Sequence, residues 1–418
     1  MFLRKIDERI KIIFLILLLL FVFIILRVFY VQMIDYKKLN KYASDLWSRD
    51  LPLEADRGLI LDRNGVVLAD NLTTTSLVLI PNQIKDKKKT TTLLADILGV
   101  SYDEMKEHVF KETSIERVHP EGRRLSYDIA EKIADLKLDG VYLVKEAKRY
   151  YPYGNMLSHS LGYVGIDNQG LSGLELQYDD YLTGKSGAIK YFSDAKGNKL
   201  NLSDIYVEPQ DGMNISLTID INIQKSLERE LDNVVDMFSP DMALAIVMDP
   251  NNGEILGIAS RPDYDPNNYQ DYTQEVLSRN LPIWASYEPG STFKIITTSA
   301  AVEEGVVDLN EDHFYDAGSV NVDGSTLRCW KAGGHGEQTF LQVLQNSCNP
   351  GFVKMGQLLG KETLFDYIDK FGFGEKTGVD LNGEGKGIIF NLDQVGNVEL
   401  ATTAFGQGVS VTPIHLTV

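Results

Sequence analysis

The sequence predicts an α+β protein held on a membrane anchor, and three observations predict it. An uncharged apolar run, Ile12 to Leu26, follows a short basic segment at the N-terminus. Short β-prone stretches separated by Asn-Gly and Gly-rich turns then fill the first half of the chain. In the second half, apolar patterns with helical spacing flank a hairpin-like pair of apolar runs, the arrangement of helices covering an antiparallel sheet.

The length of 418 residues and 44% hydrophobic content allow two or three domains with substantial cores. The net charge of −18 argues against a nucleic-acid partner. There are two cysteines, Cys329 and Cys348, and six scattered histidines, with no Cys/His group at metal-ligand spacing and no His-Glu-x-x-His, so no metal is expected. Lys185-Ser186 and Lys376-Thr377 lack the glycines of a phosphate loop, and no Gly-x-Ser-x-Gly elbow occurs. A cofactor-free enzyme or a binding protein remains.

Taken in order, residues 1–11 carry Arg4, Lys5, Arg9 and Lys11, and read as a cytoplasmic tail. Residues 12–34 read as a transmembrane signal anchor, with Arg27 snorkelling at its far end. No Ala-x-Ala-like cleavage site follows, so the anchor is expected to stay and the bulk of the chain to lie outside the cytoplasm. Residues 45–213 read as a mostly β domain. Within it, Asp56 to Ala69 is a strand, an Asn-Gly turn and a second strand. Lys85 to about residue 137 reads as a polar, helix-prone, solvated insertion, and a polar hairpin is expected near Asp194–Gly197. No nucleophile–base pair stands out here, and the expected work is spacing and protein contact.

Residues 214–418 read as the second domain. Leu217–Asp220 is a strand, and Ile221, Ile223, Leu227 and Leu231 mark a helix. The continuous apolar run Ala243–Met248 predicts a buried strand, which Asn251-Asn252-Gly253 turns into Glu254–Ala259.

Two constellations carry chemistry. In Glu288-Pro289-Gly290-Ser291-Thr292-Phe293-Lys294 the Pro-Gly pair forces a turn, and an apolar helix runs on to a stop at Gly305. Ser291 and Lys294 are one turn apart on one face, so hydroxyl and amine can meet. A lysine in an apolar wall loses hydration and with it basicity, which suits it to take a proton near neutral pH. A helix N-terminus favours a developing oxyanion. The same pattern at Ser193–Lys196 lies in a polar stretch with no apolar helix behind it. The second constellation is Ser347-Cys348-Asn349-Pro350. The helical faces of Phe340, Val343, Leu344 and of Phe352, Val353, Met355 flank it, which puts Ser347 and Asn349 on a turn between packed helices. They are read either as helix caps or as a proton relay and a substrate-binding amide. Ser278-Arg279-Asn280 and Ser319-Val320-Asn321 match the spacing without that context.

Together these residues resemble the class B penicillin-binding proteins, which are peptidoglycan D,D-transpeptidases. The resemblance rests on the anchor, Arg57-Gly58 with Asp62-Arg63-Asn64-Gly65, Gly173-Leu174-Glu175, Leu217–Asp220 and Glu288–Ser291. Cys329-Trp330, Gly333-Gly334-His335-Gly336 and Ser347–Pro350 look closest to the stage V sporulation protein D branch. The resemblance implies a pedestal or dimerisation domain over 45–213 and a penicillin-binding transpeptidase domain over 214–418. It implies Ser291 as acyl-ester nucleophile, Lys294 as general base, Ser347 as proton relay and Asn349 as substrate ligand. Peptidoglycan stem peptides and β-lactams would be the ligands, with a glycan polymerase as partner and no cofactor. The family's third motif, Lys-Thr/Ser-Gly, is expected beyond Thr412-Pro413, so the transpeptidase domain reads as incomplete at its C-terminus and of little or no activity by itself. Lys376-Thr377-Gly378 matches a different family element, Thr377-Gly378-Val379-Asp380-Leu381, and reads as a decoy. A membrane-bound β-lactam hydrolase or sensor and a non-catalytic cell-wall scaffold are the alternatives. Cys329 and Cys348 are a candidate redox pair, since thiols outside the cytoplasm tend to oxidise; two buried small hydrophobes is the alternative.

Overall fold

The computed structural model describes residues 2–36, 48–192 and 205–418. The hairpin expected near Asp194–Gly197 and the Ser193–Lys196 pattern lie outside the described residues. Phe2–Met33 is one helix, unbroken because it contains neither Gly nor Pro. Its segment Phe14–Met33 is long and apolar enough to cross a membrane. Near its end the Arg27 guanidinium lies 5.5 Å from the centre of the Tyr30 ring.

The chain forms two compact units with interleaved segments. The first comprises Met1–Asp56, Thr73–Lys148 and Lys185–Asp211. In it Ser48–Leu53 runs antiparallel to Gly187–Phe192, which pairs in turn with Ile205–Val207. The stretch from Lys85 to residue 137 is not a solvated insertion. It folds into helices Lys87–Leu98, Tyr102–Val109 and Tyr127–Asp135 around a small core. Leu94, Met105 and Val109 there are fully buried with Leu77 and Val118. Each helix is polar on one face only, and a composition average hides the other face. Ser101 and Glu104 close a capping box at the start of the second of these helices.

The second unit comprises Arg57–Leu72, Arg149–Gly184 and Gly212–Val418. A buried ion cluster ties its early segments together. Glu175 accepts from Arg57 Nε and Arg149 Nε, each at 2.6 Å, and Arg57 Nη1 also reaches Asp179 at 2.6 Å. Charges this deep persist only as a paired, hydrogen-bonded set. The Asn64-Gly65 turn forms as expected: Gly65 has φ +84°, and Asp62 Oδ1 accepts from the N–H groups of Asn64 and Val66.

In this unit Asp220 caps helix α1 (Ile221–Phe238), which packs on an antiparallel pair, β1 (Ala243–Met248) and β2 (Ile255–Arg261). The expectation that Ala243–Met248 is fully buried fails, since it is half-buried along its length. It pairs with β2 on one side and with no strand on the other among the described residues. A 3-10 turn, Gly290–Phe293, leads into α2 (Lys294–Glu303). Next come two short antiparallel pairs, one nested within the other in sequence. One pairs β3 (His313–Asp316) with β6 (Gly336–Thr339), the other β4 (Ser319–Val322) with β5 (Ser325–Arg328). Helix α3 (Phe340–Gln345) follows, then α4 (Asn349–Lys370), which breaks at Gly360 where φ is +75°. After α5 (Asn397–Thr403) the chain returns past the Ser291 turn. Phe293, Ala300, Ala301, Val343, Phe352, Val353, Met355, Ala401 and Ala404 fill the core between α2, α4 and α5. Each large apolar side chain buried there contributes about 1.5–3 kcal/mol. Ile295 and Val302 on α2 face solvent instead.

Candidate active site

The turn that carries Ser291 is built largely from backbone. Gly290 has φ +57°, the left-handed conformation that glycine adopts most cheaply. Its N–H donates to the carbonyl of Gly406 at 2.9 Å. Tyr287 and Val411 exchange N–H···O bonds of 3.0 and 2.9 Å, and Gly408 N–H donates to Glu288 Oε1 at 2.8 Å. Phe293 plugs the turn into the core, while Ser291 stays exposed. Ser291 is therefore in the 3-10 turn ahead of the α-helix, and Lys294 is the first residue of α2. The two are i, i+3 neighbours on one side of the turn, and their side chains are linked through Ser347.

The opposite wall is the turn between α3 and α4. Ser347 holds φ +50°, which costs a non-glycine residue on the order of 1 kcal/mol or more. That geometry aims both its carbonyl and its hydroxyl at Lys294. The Nζ of Lys294 donates to Ser347 O at 2.9 Å, to Ser347 Oγ at 2.9 Å and to Asn349 Oδ1 at 2.7 Å. Ser347 Oγ lies 3.0 Å from Ser291 Oγ. The four candidate residues thus form one connected group, in which Lys294 reaches Ser291 through Ser347. Asn349 is the first residue of α4, and its Nδ2 donates to the carbonyl of Arg328 at 3.2 Å.

Lys294 is buried with 2% of its surface exposed. Burial lowers its pKa to about 8, against a smaller upward pull from the thiols of Cys348 and Cys329. Its ammonium also lies 5.0 Å from the centre of the Phe352 ring. Of its three oxygen partners only the Ser347 hydroxyl carries a proton to give. A neutral amine at this position can accept a proton only along that line.

Lys376-Thr377-Gly378 is engaged elsewhere. Thr377 donates through N–H and Oγ1 to Glu384 Oε1 at 2.7 and 2.5 Å, and none of its hydrogen bonds reaches the Ser291 group.

Both cysteines are free thiols. They do not stand alone, although no metal-ligand spacing in the sequence joins them. The fold collects Asp316, Cys329, His335 and Cys348 so that one donor atom of each lies within 4.8 Å of the others. The spacing hid this because Asp316 closes β3, Cys329 and His335 lie between β5 and β6, and Cys348 precedes α4. The available signal was a histidine amid three glycines, Gly333-Gly334-His335-Gly336. Asp316, His335 and the brace at Gly406 to Val411 are the neighbours of the site that sequence reasoning left out.

Comparisons with known proteins bear on the family and the fold. The family described as penicillin binding protein transpeptidase domain matches residues 243–417, and that described as penicillin-binding protein dimerisation domain matches 52–217. The chain is 53% identical over 414 residues to stage V sporulation protein D of Bacillus subtilis, covering 98% of this chain and 64% of that protein. It is 30% identical over 411 residues to peptidoglycan D,D-transpeptidase FtsI of Escherichia coli K12, covering 96% and 68%. Among solved structures, penicillin binding protein 2X of Streptococcus thermophilus superposes with a TM-score of 0.68 at 27% identity, over 88% of this chain and 58% of that one. The chain thus spans about two thirds or less of the length of these relatives. On the domains matched, the relatives and the fold, the chain belongs to the class B penicillin-binding proteins.

Proposed function

We propose that this chain contributes the acylating site of a peptidoglycan D,D-transpeptidase, with Ser291 as nucleophile. The observation that carries the reading is the series Lys294 Nζ, Ser347 Oγ, Ser291 Oγ, with links of 2.9 and 3.0 Å. Lys294, lowered to about 8 by burial, is the base. Ser291 Oγ bonds to the carbonyl carbon of the penultimate D-alanine of a stem peptide, and its proton passes through Ser347 to Lys294. The bond to the terminal D-alanine breaks, and that amine leaves with the proton Lys294 held. An amine of a neighbouring strand then attacks the acyl-serine, its proton returns along the same line to Ser291, and a cross-link results. Asn349 orients the stem peptide through its amide. β-Lactams acylate the same oxygen.

The segment 45–213 is a pedestal that spaces this site from the membrane and offers contact surface, with a glycan polymerase as partner. The anchor over 12–34 leaves residues 1–11 in the cytoplasm and the site outside.

The test is acylation by a fluorescent penicillin of the protein expressed from its intact gene in membranes, with the modified residue located by mass spectrometry. The expected label is on Ser291 and is absent in Ser291→Ala. Label on another residue, or undiminished label in that variant, overturns the assignment.

A further inference from the structure

Beside the Ser291 group lies the cluster of Asp316, Cys329, His335 and Cys348, for which the acylation chemistry has no use. Its carboxylate, one thiol and the imidazole ring are buried, and Cys329 is half-buried, which leaves a path from solvent. Asp316 Oδ2 accepts from the Cys348 thiol at 3.3 Å and from the backbone N–H of His335 at 2.9 Å, and stands 3.0 Å from His335 Nδ1. That same Nδ1 is 3.3 Å from Cys329 Sγ. The donors converge on one point and do not form a chain.

We propose that Asp316, Cys329, His335 and Cys348 form a closed four-ligand site for zinc(II) that clasps the turn carrying Ser347 and Asn349. Metal–sulfur bonds near 2.3 Å and metal–nitrogen or –oxygen bonds near 2.0–2.2 Å set tetrahedral edges of roughly 3.3–3.8 Å. The separations of 3.0 and 3.3 Å reach that geometry with shifts of a few tenths of an ångström, and the donors, spread over up to 4.8 Å, close by up to about 1 Å. Two thiolates with an imidazole and a carboxylate suit zinc over magnesium or calcium, which take oxygen ligands. With four protein ligands no position is left for substrate, the pattern of a structural site. On binding, each thiol gives up its proton to solvent, and the bound unit carries one net negative charge.

In the metal-free site burial pushes the Cys348 thiol up to about 12 and raises the Cys329 thiol as well, so both protons leave only as the cation binds. The Gln338 side chain is buried, and its Nε2 finds no oxygen acceptor. The Asp316 carboxyl, which burial alone would raise, is held well below the usual range by the N–H of Gly318 and by bonds from Cys329 and His335. Gly334 packs its backbone so close to Asp316 O that a Cβ there would lie 2.3 Å away. The link to the acylating group is direct: Cys348 stands between Ser347 and Asn349, and Cys329 follows Arg328, whose carbonyl accepts from Asn349. A Cys329–Cys348 disulfide, the redox pairing considered from the sequence, would withdraw both sulfurs from the cation, so the two states exclude one another.

The test uses the full chain in detergent, reduced, stripped with chelator and dialysed against zinc(II) in a metal buffer, with bound metal measured by mass spectrometry. One equivalent is expected. Cobalt(II) in its place should give the visible bands of a tetrahedral ion and a thiolate charge-transfer band. Cys329→Ser and His335→Gln should each weaken zinc binding by more than the roughly 10–100-fold that loss of a ligand's hydrogen-bond partner costs. Ser291→Ala should bind unchanged. Circular dichroism checks that each variant is folded, and His335→Gln gives a second variant should the cysteine one unfold. A reduced, folded protein that takes up no stoichiometric zinc overturns the proposal, and so does uptake indifferent to both ligand variants. Protein isolated as a disulfide that binds zinc only after reduction supports it.

Discussion

The turn carrying Ser291 and the turn carrying Ser347 face each other across 3.0 Å, yet different forces hold them. The first is fixed by main chain: Gly290 in a left-handed bend, N–H groups paired with Gly406 and Val411, and an apolar plug at Phe293. The second has main-chain bonds too, Ser347 N–H to Leu344 O and Cys348 N–H to Val343 O at 3.0 Å each, but it also rests on side chains gathered from separate stretches. The Lys294 amine ties Ser347 to Asn349, and Cys348 between them belongs to the Asp316–Cys329–His335–Cys348 group. One wall is rigid by construction, and the other depends on the chemical state of its neighbours.

Four measurements break or sharpen that contrast. The largest effect belongs to the residue both walls share. Lys294→Met should slow acylation of Ser291 by a penicillin roughly a thousandfold, as for loss of a general base; a loss below about tenfold would remove lysine from the proton path. Next is the rigid wall itself. At Gly406, φ +80°, a Cβ would lie 2.1 Å from the Gly290 carbonyl. Gly406→Ala should therefore cost about 1–3 kcal/mol in stability and slow acylation by tenfold or more. Gly305→Ala, at φ +64° with open space around it, should cost about 1 kcal/mol and leave acylation unchanged. Thermal melts beside labelling rates separate the two.

The third measurement is a pH profile. Burial lowers Lys294 from 10.5 to about 8, so the amine is neutral above that pH and protonated below it. The acylation rate should rise through a midpoint near 8 and fall about tenfold per unit on the acid side; the limb should vanish in Lys294→Met. The smallest effect concerns the second wall. Trp330 Nε1 donates to Asn346 O at 2.8 Å, at the rim of the turn. Trp330→Phe should cost no more than about 1 kcal/mol and change acylation less than threefold, because that bond is open to water.

The same contrast governs what could be read from the sequence. Pro289-Gly290, the apolar spacing of α2 and the stop at Gly305 are local signals, and they placed Ser291 beside Lys294. The faces of Phe340, Val343, Phe352 and Val353 did the same for Ser347 and Asn349. Local pattern failed where distant residues decide. Ala243–Met248 is apolar throughout, but its burial depends on what lies against its free edge. The stretch from 85 to 137 averaged as polar while Leu94, Met105 and Val109 supplied a core. The four-donor cluster draws on residues 32 apart, from Asp316 to Cys348, and no ligand spacing announces it.

The brace on the Ser291 turn bears on how the protein comes into being. Glu288 and its partner Gly408 are 120 residues apart, and Gly290 waits for Gly406 in the same way. A growing chain that has released the first of each pair from the ribosome still lacks the second, so the turn cannot be braced until residue 408 has emerged. Pairings this distant are slow to form because loop closure precedes any reward. Until then a nascent chain carries Ser291 on a turn that lacks its brace.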